Sequence, residues 1–222
     1  MARYEIIEHF ISINGEGTRA GQLALFLRFK GCNLSCHYCD TTWANQTDCP
    51  STTMTAEEIE VLVKESGVQN VTITGGEPLN RPDIGTLLKR LSCVPDIQIE
   101  IETNGSIDLL PYCNLSPKIH FTMDYKLPCS GMESYMKISN FALLSMEDMV
   151  KFVIGNISDL ERTWEIITQF NLIGKTNLYL SPVFGSIEPK EIVAFMIKHK
   201  WNGVQMQLQL HKFIWSPDQK GV

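Results

Sequence analysis

The sequence predicts an α/β protein in which parallel strands form an open, partial barrel of about six strand–helix units. Three observations favour this fold class. Apolar strand-like runs alternate with helix-like segments along the chain, glycine-rich turns follow several of the predicted strands, and no long linker interrupts the alternation. Strands that alternate with helices form parallel sheets with right-handed crossovers. Six units are too few to close an eight-unit barrel, so we expect an open one.

The individual elements follow from local signals in chain order. The apolar run Leu23 to Phe29 predicts the first strand, and the capping-box sequence from Thr55 to Glu58 predicts a helix that stops at Gly67. Short apolar runs predict the later strands, and longer amphipathic segments predict the later helices. The predicted strands cover 23–29, 71–74, 97–102, 119–123, 150–154, 178–180 and 203–210, and the predicted helices cover 55–65, 83–91, 160–170 and 188–198.

Polar residues inside two predicted strands indicate a polar barrel interior. The isoleucines of 97–102 alternate with Gln98, Glu100 and Glu102, which gives the strand one polar face. In a parallel sheet covered by helices, that face is expected to point inward. Arg28 interrupts the apolar first strand, where arginine is rarely buried without an anionic partner. The sequence leaves two alternatives open for Arg28. It pairs either with Glu100 or Glu102 inside the protein, or with the carboxylate of a ligand.

Length and composition indicate a single domain that covers residues 1–222. The chain is long enough for one packed α/β domain, and its 44% hydrophobic content suits a globular core. A net charge of -6 gives no general attraction to nucleic acid or to an anionic membrane, and no apolar stretch has transmembrane length. Charged residues occupy the first ten positions, so no signal peptide is recognised and we expect a cytoplasmic protein with reduced cysteines.

Three cysteines in one short loop carry the strongest chemical signal. Cys32, Cys36 and Cys39 follow the first predicted strand in the spacing Cys-x3-Cys-x2-Cys. Three thiolates ligate three irons of a four-iron cluster and leave the fourth iron open to a ligand. A zinc site completed by Cys49 or His37 is the alternative, because structural zinc normally has four protein ligands.

Turns rich in glycine and polar residues follow other predicted strands. They are Gly75-Gly76-Glu77-Pro78, Thr103-Asn104-Gly105 and Ser181-Pro182. In parallel barrels, the loops after the C-terminal ends of the strands build the active site. One such turn is a weak signal, because any tight turn uses glycine and proline. Several of them together with the cysteine loop predict one site at this end of the barrel.

These motifs resemble those of the radical S-adenosylmethionine (SAM) superfamily and, within it, the 7-carboxy-7-deazaguanine synthases. The narrower resemblance rests on the segment 13–17, Arg28, the segment 31–41, and motifs at 75–78, 102–105, 181–185 and 209–212, so it covers nearly the whole chain. It implies a 4Fe-4S cluster, SAM and Mg²⁺ as cofactors. The implied reaction is the ring contraction of 6-carboxy-5,6,7,8-tetrahydropterin to 7-carboxy-7-deazaguanine with release of ammonia. The resemblance also implies a flavodoxin or ferredoxin as electron donor, and a homodimer.

The resemblance also implies a role for each matching residue. The cluster would be ligated by Cys32, Cys36 and Cys39, and the magnesium ion by Thr41. The substrate would contact Ile13, Asn14, Gly15, Arg28 and Thr103, with its carboxylate on Arg28. SAM would contact Tyr38, Asp40, Glu77, Gly105, Asp124, Tyr125, Lys126 and Ser181. Two departures stand out, because Asn14 replaces the family's common glutamine, and 124–126 keeps only the lysine of a common Ser-Pro-Lys turn.

Several of these interpretations have alternatives. Thr41 would otherwise cap the turn after the cysteines. Glu16 is expected to organise its own turn without touching a ligand, and His211 and Lys212 to anchor the final strand. Two other functions also remain open. A glycyl-radical-enzyme activating protein shares the cysteine loop but has no need of Arg28 as a small-acid ligand, and a non-catalytic iron–sulfur or zinc protein does not explain the glycine turns.

Overall fold

The computed structural model describes residues 2–216 and 219–222, in which one nine-stranded sheet is found. The strands are β1 (Arg3–Ile13), β2 (Leu23–Phe29), β3 (Thr52–Thr55), β4 (Asn70–Gly75), β5 (Gln98–Thr103), β6 (Ile119–Tyr125), β7 (Met149–Ile154), β8 (Asn177–Pro182) and β9 (Gln205–Met206). The α-helices are α1 (Ala56–Ser66), α2 (Ile84–Ser92), α3 (Ile157–Gln169), α4 (Pro189–His199) and α5 (His211–Ile214). The order across the sheet is β3-β1-β2-β4-β5-β6-β7-β8-β9, so β3 and β9 are edges and the barrel is open.

The strand directions confirm the predicted partial barrel and add an antiparallel edge. From β2 through β4 to β9 each neighbouring pair is parallel, whereas β1 pairs antiparallel with both β2 and β3. Neither β1 nor β3 was predicted. A register shift between Ile6 and Glu8 interrupts the regular alternation of β1, which hides its period-two signal in the sequence.

The predicted capping box forms in full at the start of α1. The Thr55 hydroxyl accepts a hydrogen bond from the Glu58 amide, and the Glu58 carboxylate accepts one from the Thr55 amide. Such a cap contributes about 1 kcal/mol to helix stability. Gly67 then ends the helix in the left-handed conformation, with φ of 63°. Among the described helices, none has both the length and the apolar character that crossing a membrane requires.

Strand β5 shows how the sheet separates its two faces. Ile99 and Ile101 are fully buried in the hydrophobic core, to which the helices also contribute. Glu100 lies on the opposite, inner face, where it accepts a 2.5 Å hydrogen bond from Thr122 and lies 4.0 Å from Arg19. Burial and the neighbouring Glu102 both raise the pKa of Glu100. The predicted polar interior is therefore confirmed for this strand.

The predicted final strand at 203–210 is wrong over most of its length. Only Gln205–Met206 pairs with β8, after which the chain leaves the sheet and enters α5. The alternating glutamines that predicted a strand have another role. Gln207 and Gln209 turn toward Glu16 and donate hydrogen bonds to its carboxylate.

Candidate functional site

A cavity of about 910 Å³ opens at the C-terminal ends of the parallel strands. Its wall is built from the cysteine loop, the ends of the strands and the short helix α5. The predicted site residues that line it are Ile13, Asn14, Gly15, Arg28, Cys32, Cys36, Tyr38, Cys39, Asp40, Thr41, Thr103, Asp124, Lys126 and Ser181. The fold therefore gathers motifs that are up to 168 positions apart in the chain at one site.

Two glycines at the end of β4 bring the cysteine loop against the sheet. A Cβ atom on Gly75 would lie 2.2 Å from the Phe29 carbonyl oxygen, and one on Gly76 would lie 2.1 Å from that of Gly31. No side chain fits at either position, because real Cβ contacts are never this short. The amide of Glu77 then donates a 3.0 Å hydrogen bond to the Gly31 carbonyl, directly before Cys32. Backbone packing thus fixes where the cysteine loop begins.

The three cysteines of the loop share the cavity wall and influence one another. Burial raises the pKa of Cys32 and of Cys36, and the neighbouring thiols raise both further. The Cys32 sulfur accepts hydrogen bonds from the Leu34 amide and from Asn104 Nδ2, which favour its thiolate form. Within residues 2–216 and 219–222, no three His, Cys, Asp or Glu side chains are already gathered as around a bound metal. Three thiols on one wall, with donors to one sulfur, are a donor set that suits an iron–sulfur cluster.

The alternative zinc ligands are not brought to the same place. Cys49 is buried away from the cavity, and its thiol donates to the Pro50 carbonyl. His37 lines the cavity, but its Nδ1 lies 3.3 Å from the Cys129 carbonyl oxygen. The arrangement therefore favours three cysteine ligands over a closed four-ligand site.

Three predicted SAM-binding residues do not line the cavity. Tyr125 faces the outer core, where its ring packs against Phe141 and Phe152, because neighbouring residues of a strand point to opposite faces. Gly105 turns its carbonyl away, toward the Lys137 amide and Asn140 Nδ2. Glu77 is fully buried behind the wall.

The buried Glu77 carboxylate organises the neighbouring turn. One oxygen accepts hydrogen bonds from the Leu79 amide and the Thr103 hydroxyl, and the other accepts a 2.6 Å hydrogen bond from the Asn104 amide. Burial raises the pKa of Glu77 to about 7, although these three donors lower it. Glu77 therefore holds the loop after β5 in place against the end of β4.

Glu77→Gln is expected to destabilise the fold by about 1–3 kcal/mol, the cost of leaving a buried donor unpaired. Whichever way the glutamine amide is turned, its NH₂ group faces the amide of either Leu79 or Asn104. Urea denaturation measures this loss. The matched change Glu57→Gln, in an exposed pair with Arg90, should cost less than about 1 kcal/mol. A Glu77→Gln protein with unchanged stability and lost SAM binding would instead support direct contact with SAM.

Arg28 pairs with a residue that the sequence did not indicate. Its Nε donates a 2.7 Å hydrogen bond to Glu8 Oε1, and the two residues are opposite each other in the β1–β2 pair. Of the two alternatives that the sequence left open, pairing with Glu100 or Glu102 is therefore wrong, because the antiparallel strand β1 supplies the carboxylate. Both Glu8 and Arg28 line the cavity.

A buried layer of charges crosses the cavity floor. Lys151 Nζ lies 3.1 Å from Glu16 and 3.9 Å from Asp124, and Lys126 Nζ lies 2.8 Å from Asp124. Burial disfavours the charge on Lys151, but Glu16 and Asp124 outweigh it and raise its pKa. Burial likewise opposes the charge on Glu16, but Lys151 and Ser181 outweigh it and lower its pKa. Lys151 and Glu16 therefore favour their charged forms despite their burial.

Sequence reasoning missed several residues of the cavity wall. They include Glu8, Thr74 and Lys151. His211 and Lys212, which were expected only to anchor the final strand, also line the cavity. Glu16 does more than organise its own turn, because its carboxylate lines the cavity and accepts a 2.7 Å hydrogen bond from Ser181. His211 approaches so closely that a Cβ on Gly15 would lie 2.7 Å from its Nδ1. The motif at 209–212 was the available signal for His211. It was not used because His211 was expected to anchor a final strand at 203–210.

Unpartnered polar groups mark where ligands are expected. Asn14 accepts a hydrogen bond from Thr72 through Oδ1, while its buried Nδ2 has no partner among the described residues. The same holds within that part of the chain for the Tyr38 hydroxyl and for Asp124 Oδ1. Thr41 makes no side-chain cap, and its hydroxyl lies 3.6 Å from the Cys39 sulfur. The Thr41 hydroxyl and the carboxylate of the neighbouring Asp40 provide oxygen atoms of the kind that magnesium binds.

Comparison with known proteins agrees with this arrangement. The sequence model of the radical SAM superfamily matches residues 26–115. The 7-carboxy-7-deazaguanine synthase of Clostridium acetobutylicum is 53% identical over 219 residues, which are 99% of each chain. That of Chlorobaculum tepidum is 37% identical and covers 100% of this chain and 98% of its own.

The fold has a counterpart among solved structures. The crystal structure of QueE from Escherichia coli has a TM-score of 0.72 with this chain, at 21% sequence identity, and the match covers 93% of this chain and 94% of that one. At this identity the likeness concerns the fold. The full-length sequence similarity carries the assignment: the chain belongs to the 7-carboxy-7-deazaguanine synthase family of the radical SAM superfamily.

Proposed function

We propose that the protein is a carbon–nitrogen lyase that converts 6-carboxy-5,6,7,8-tetrahydropterin to 7-carboxy-7-deazaguanine and ammonia, in 7-deazapurine or queuosine biosynthesis. The supporting observation is that one cavity combines the three cysteines with Arg28 and the unpartnered amide of Asn14. A carboxylate suits the arginine, and an acceptor on a heterocycle suits the amide donor. Full-length relatives with this activity in their names support the same reaction.

The cofactors have residues of suitable chemistry around them. Cys32, Cys36 and Cys39 would hold a 4Fe-4S cluster, which together with SAM would supply the one-electron chemistry of the reaction. The groups proposed to hold SAM at the wall are Tyr38, Asp40, Asp124, Lys126 and Ser181. Glu77 and Gly105 serve SAM indirectly in this proposal, by shaping the turn behind the wall. The Thr41 hydroxyl would hold Mg²⁺ beside the cysteine loop.

The residues of the chain orient the substrate and control its surroundings. Arg28 binds the substrate carboxylate, and Asn14 Nδ2 donates to a ring acceptor. Ile13, Gly15 and Thr103 complete the substrate side of the wall. Beneath them, Lys151 Nζ keeps its proton between Glu16 and Asp124, so the floor presents a fixed layer of paired charges. Holding one pose in a site that excludes water is the protein's contribution to directing a reactive intermediate.

The remaining assignments are proposals of the same kind. A flavodoxin or ferredoxin would serve as the electron donor, and the exposed residues Ser35 and His37 leave part of the cysteine loop accessible to such a partner. A homodimer would cover exposed apolar side chains such as Ile197 and Phe213, and light scattering in solution tests it.

A cytoplasmic location suits the seven free cysteines. Because the nine described strands share one sheet, residues 1–222 are proposed to act as a single domain.

The direct test is anaerobic incubation of the protein with SAM, a reductant, Mg²⁺ and the carboxypterin, followed by detection of the deazaguanine product. Arg28→Met should raise the KM for the carboxypterin about 10- to 100-fold, the value of a hydrogen bond to a charged group. The cluster absorbance should stay unchanged. If Arg28→Met lowers only the melting temperature, then Arg28 is a structural ion-pair partner. Absence of product, together with SAM-dependent glycyl-radical formation on a partner enzyme, would favour the activating-protein alternative.

A further inference from the structure

We infer that Glu8 is a positioning residue for substrate recognition, which holds the Arg28 guanidinium so that its terminal edge faces the carboxylate of the bound pterin. The inference rests on the proposed function, because it takes Arg28 as the carboxylate ligand. Glu8, a residue of β1, contacts Arg28 and would act on the substrate only through Arg28.

A bulge in β1 places Glu8 in the cavity. Residues two apart in a regular strand share a face, yet Ile6 lies in the outer hydrophobic core whereas Glu8 lines the cavity. The register shift between Ile6 and Glu8 accounts for this reversal. Re-aiming a side chain is a common consequence of such a bulge. The bulge in β1 therefore places a carboxylate opposite Arg28.

The contact uses only one edge of the guanidinium. Arginine has five N–H donors, which can pair a carboxylate through the Nε edge or through the terminal Nη edge. Glu8 Oε1 accepts a 2.7 Å hydrogen bond from the Arg28 Nε. Among residues 2–216 and 219–222 no acceptor binds either Nη group, and neither is among the fully buried unpaired atoms, so each keeps some accessible surface on a residue that lines the cavity. The terminal edge is thus available for a bidentate carboxylate.

Glu8 also has an opposing effect. Its negative charge lies near the place where the ligand carboxylate would bind, and like charges repel. Orientation strengthens binding, whereas repulsion weakens it, and two variants separate the effects. Glu8→Gln keeps an oxygen that accepts from Nε but removes the charge, and Glu8→Ala removes both.

The test measures the binding of two unreactive ligands to the anaerobically purified holoenzyme with Mg²⁺ by calorimetry. One ligand is oxidised 6-carboxypterin, and the other is pterin without the carboxylate. Glu8→Ala should weaken carboxypterin binding about tenfold, as expected for a displaced charge-assisted contact, and leave pterin binding unchanged. Glu8→Gln should recover most of the loss. In turnover, KM for the carboxypterin should rise in Glu8→Ala while kcat stays within about twofold.

A matched control comes from the same strand. Glu5 lies on β1 with a side chain that is 53% exposed, 4.0 Å from Lys30 and away from the cavity. Glu5→Ala should leave the binding of both ligands unchanged. It therefore corrects for any general effect of removing a carboxylate from β1.

Other outcomes overturn the inference. Equal weakening of both ligands, or a lower melting temperature alone, would assign Glu8 a structural role. Tighter carboxypterin binding in both Glu8 variants would show that repulsion dominates. Arg28→Met in the same titration distinguishes failure of the positioning role of Glu8 from failure of the assignment of Arg28 as the carboxylate ligand. If Arg28→Met weakens carboxypterin binding and Glu8→Ala does not, only the positioning role fails. If Arg28→Met has no effect on carboxypterin binding, the carboxylate assignment fails, and the role of Glu8 fails with it.

Discussion

Replacing Cys32, Cys36 or Cys39 by alanine is expected to abolish the iron–sulfur cluster and all SAM cleavage. In the proposed site each thiol would supply one iron ligand, and all three line the same cavity. Iron and sulfide analysis of anaerobically purified protein, with the visible absorbance of the cluster, measures the first loss. Release of 5′-deoxyadenosine from SAM measures the second.

Cys49→Ala is the control for the cysteine variants. Cys49 is buried outside the cavity, and its thiol donates to the carbonyl of Pro50. Its loss should therefore leave iron content and SAM cleavage close to those of the wild type. Loss of the cluster in Cys49→Ala would contradict the three-cysteine assignment and favour a closed four-ligand site.

Lys151→Met is expected to destabilise the fold by about 3–5 kcal/mol, the cost of leaving the buried charge of Glu16 without its partner. Lys151 lies between Glu16 and Asp124, and the side chains of Lys151 and Glu16 are each only 14% exposed. Without the ammonium group, Glu16 loses the cation beside it in a poorly solvated layer, whereas Asp124 keeps Lys126 at 2.8 Å. Urea denaturation at neutral pH measures the loss.

A surface lysine provides the comparison for Lys151. Lys64 pairs with Glu60 four residues earlier on α1, and its side chain is 53% exposed. Lys64→Met should change the free energy of unfolding by less than about 1 kcal/mol, because exposed pairs contribute little. Equal effects of the two substitutions would show that the charged layer beneath the site is as well solvated as the surface.

Local sequence signals predicted most of the parallel sheet and its helices. The capping box at Thr55, the stop at Gly67 and the alternation along β5 all form as expected. Strand β1 was missed because its bulge breaks the alternation that sequence reasoning reads. The final strand was overpredicted because Gln207 and Gln209 alternate with apolar residues for a different reason, which is their contact with Glu16.

The candidate site was predictable where its residues form short motifs. The cysteine loop and the glycine turns meet as expected, because consecutive loops follow the same ends of parallel strands. Contacts between distant positions were not predictable. Glu16 and Lys151 lie 135 positions apart, and nothing local marks them as partners. Tyr125 was misplaced because Asp124, Tyr125 and Lys126 were treated together, although adjacent residues of a strand face opposite sides.

The contacts of Glu16 also determine when the site can be completed during synthesis. Its carboxylate accepts from Gln207 and Gln209, which follow it by 191 and 193 positions. A ribosome adds about 5–20 residues per second, so the cysteine loop emerges on the order of 10–30 s before these glutamines. For that interval the nascent cysteines are exposed to oxidants without the finished wall around them. The oxygen sensitivity of cluster loading is therefore expected to depend on how fast the chain is translated, and slow codons between β2 and β9 should lower the yield of loaded protein in air.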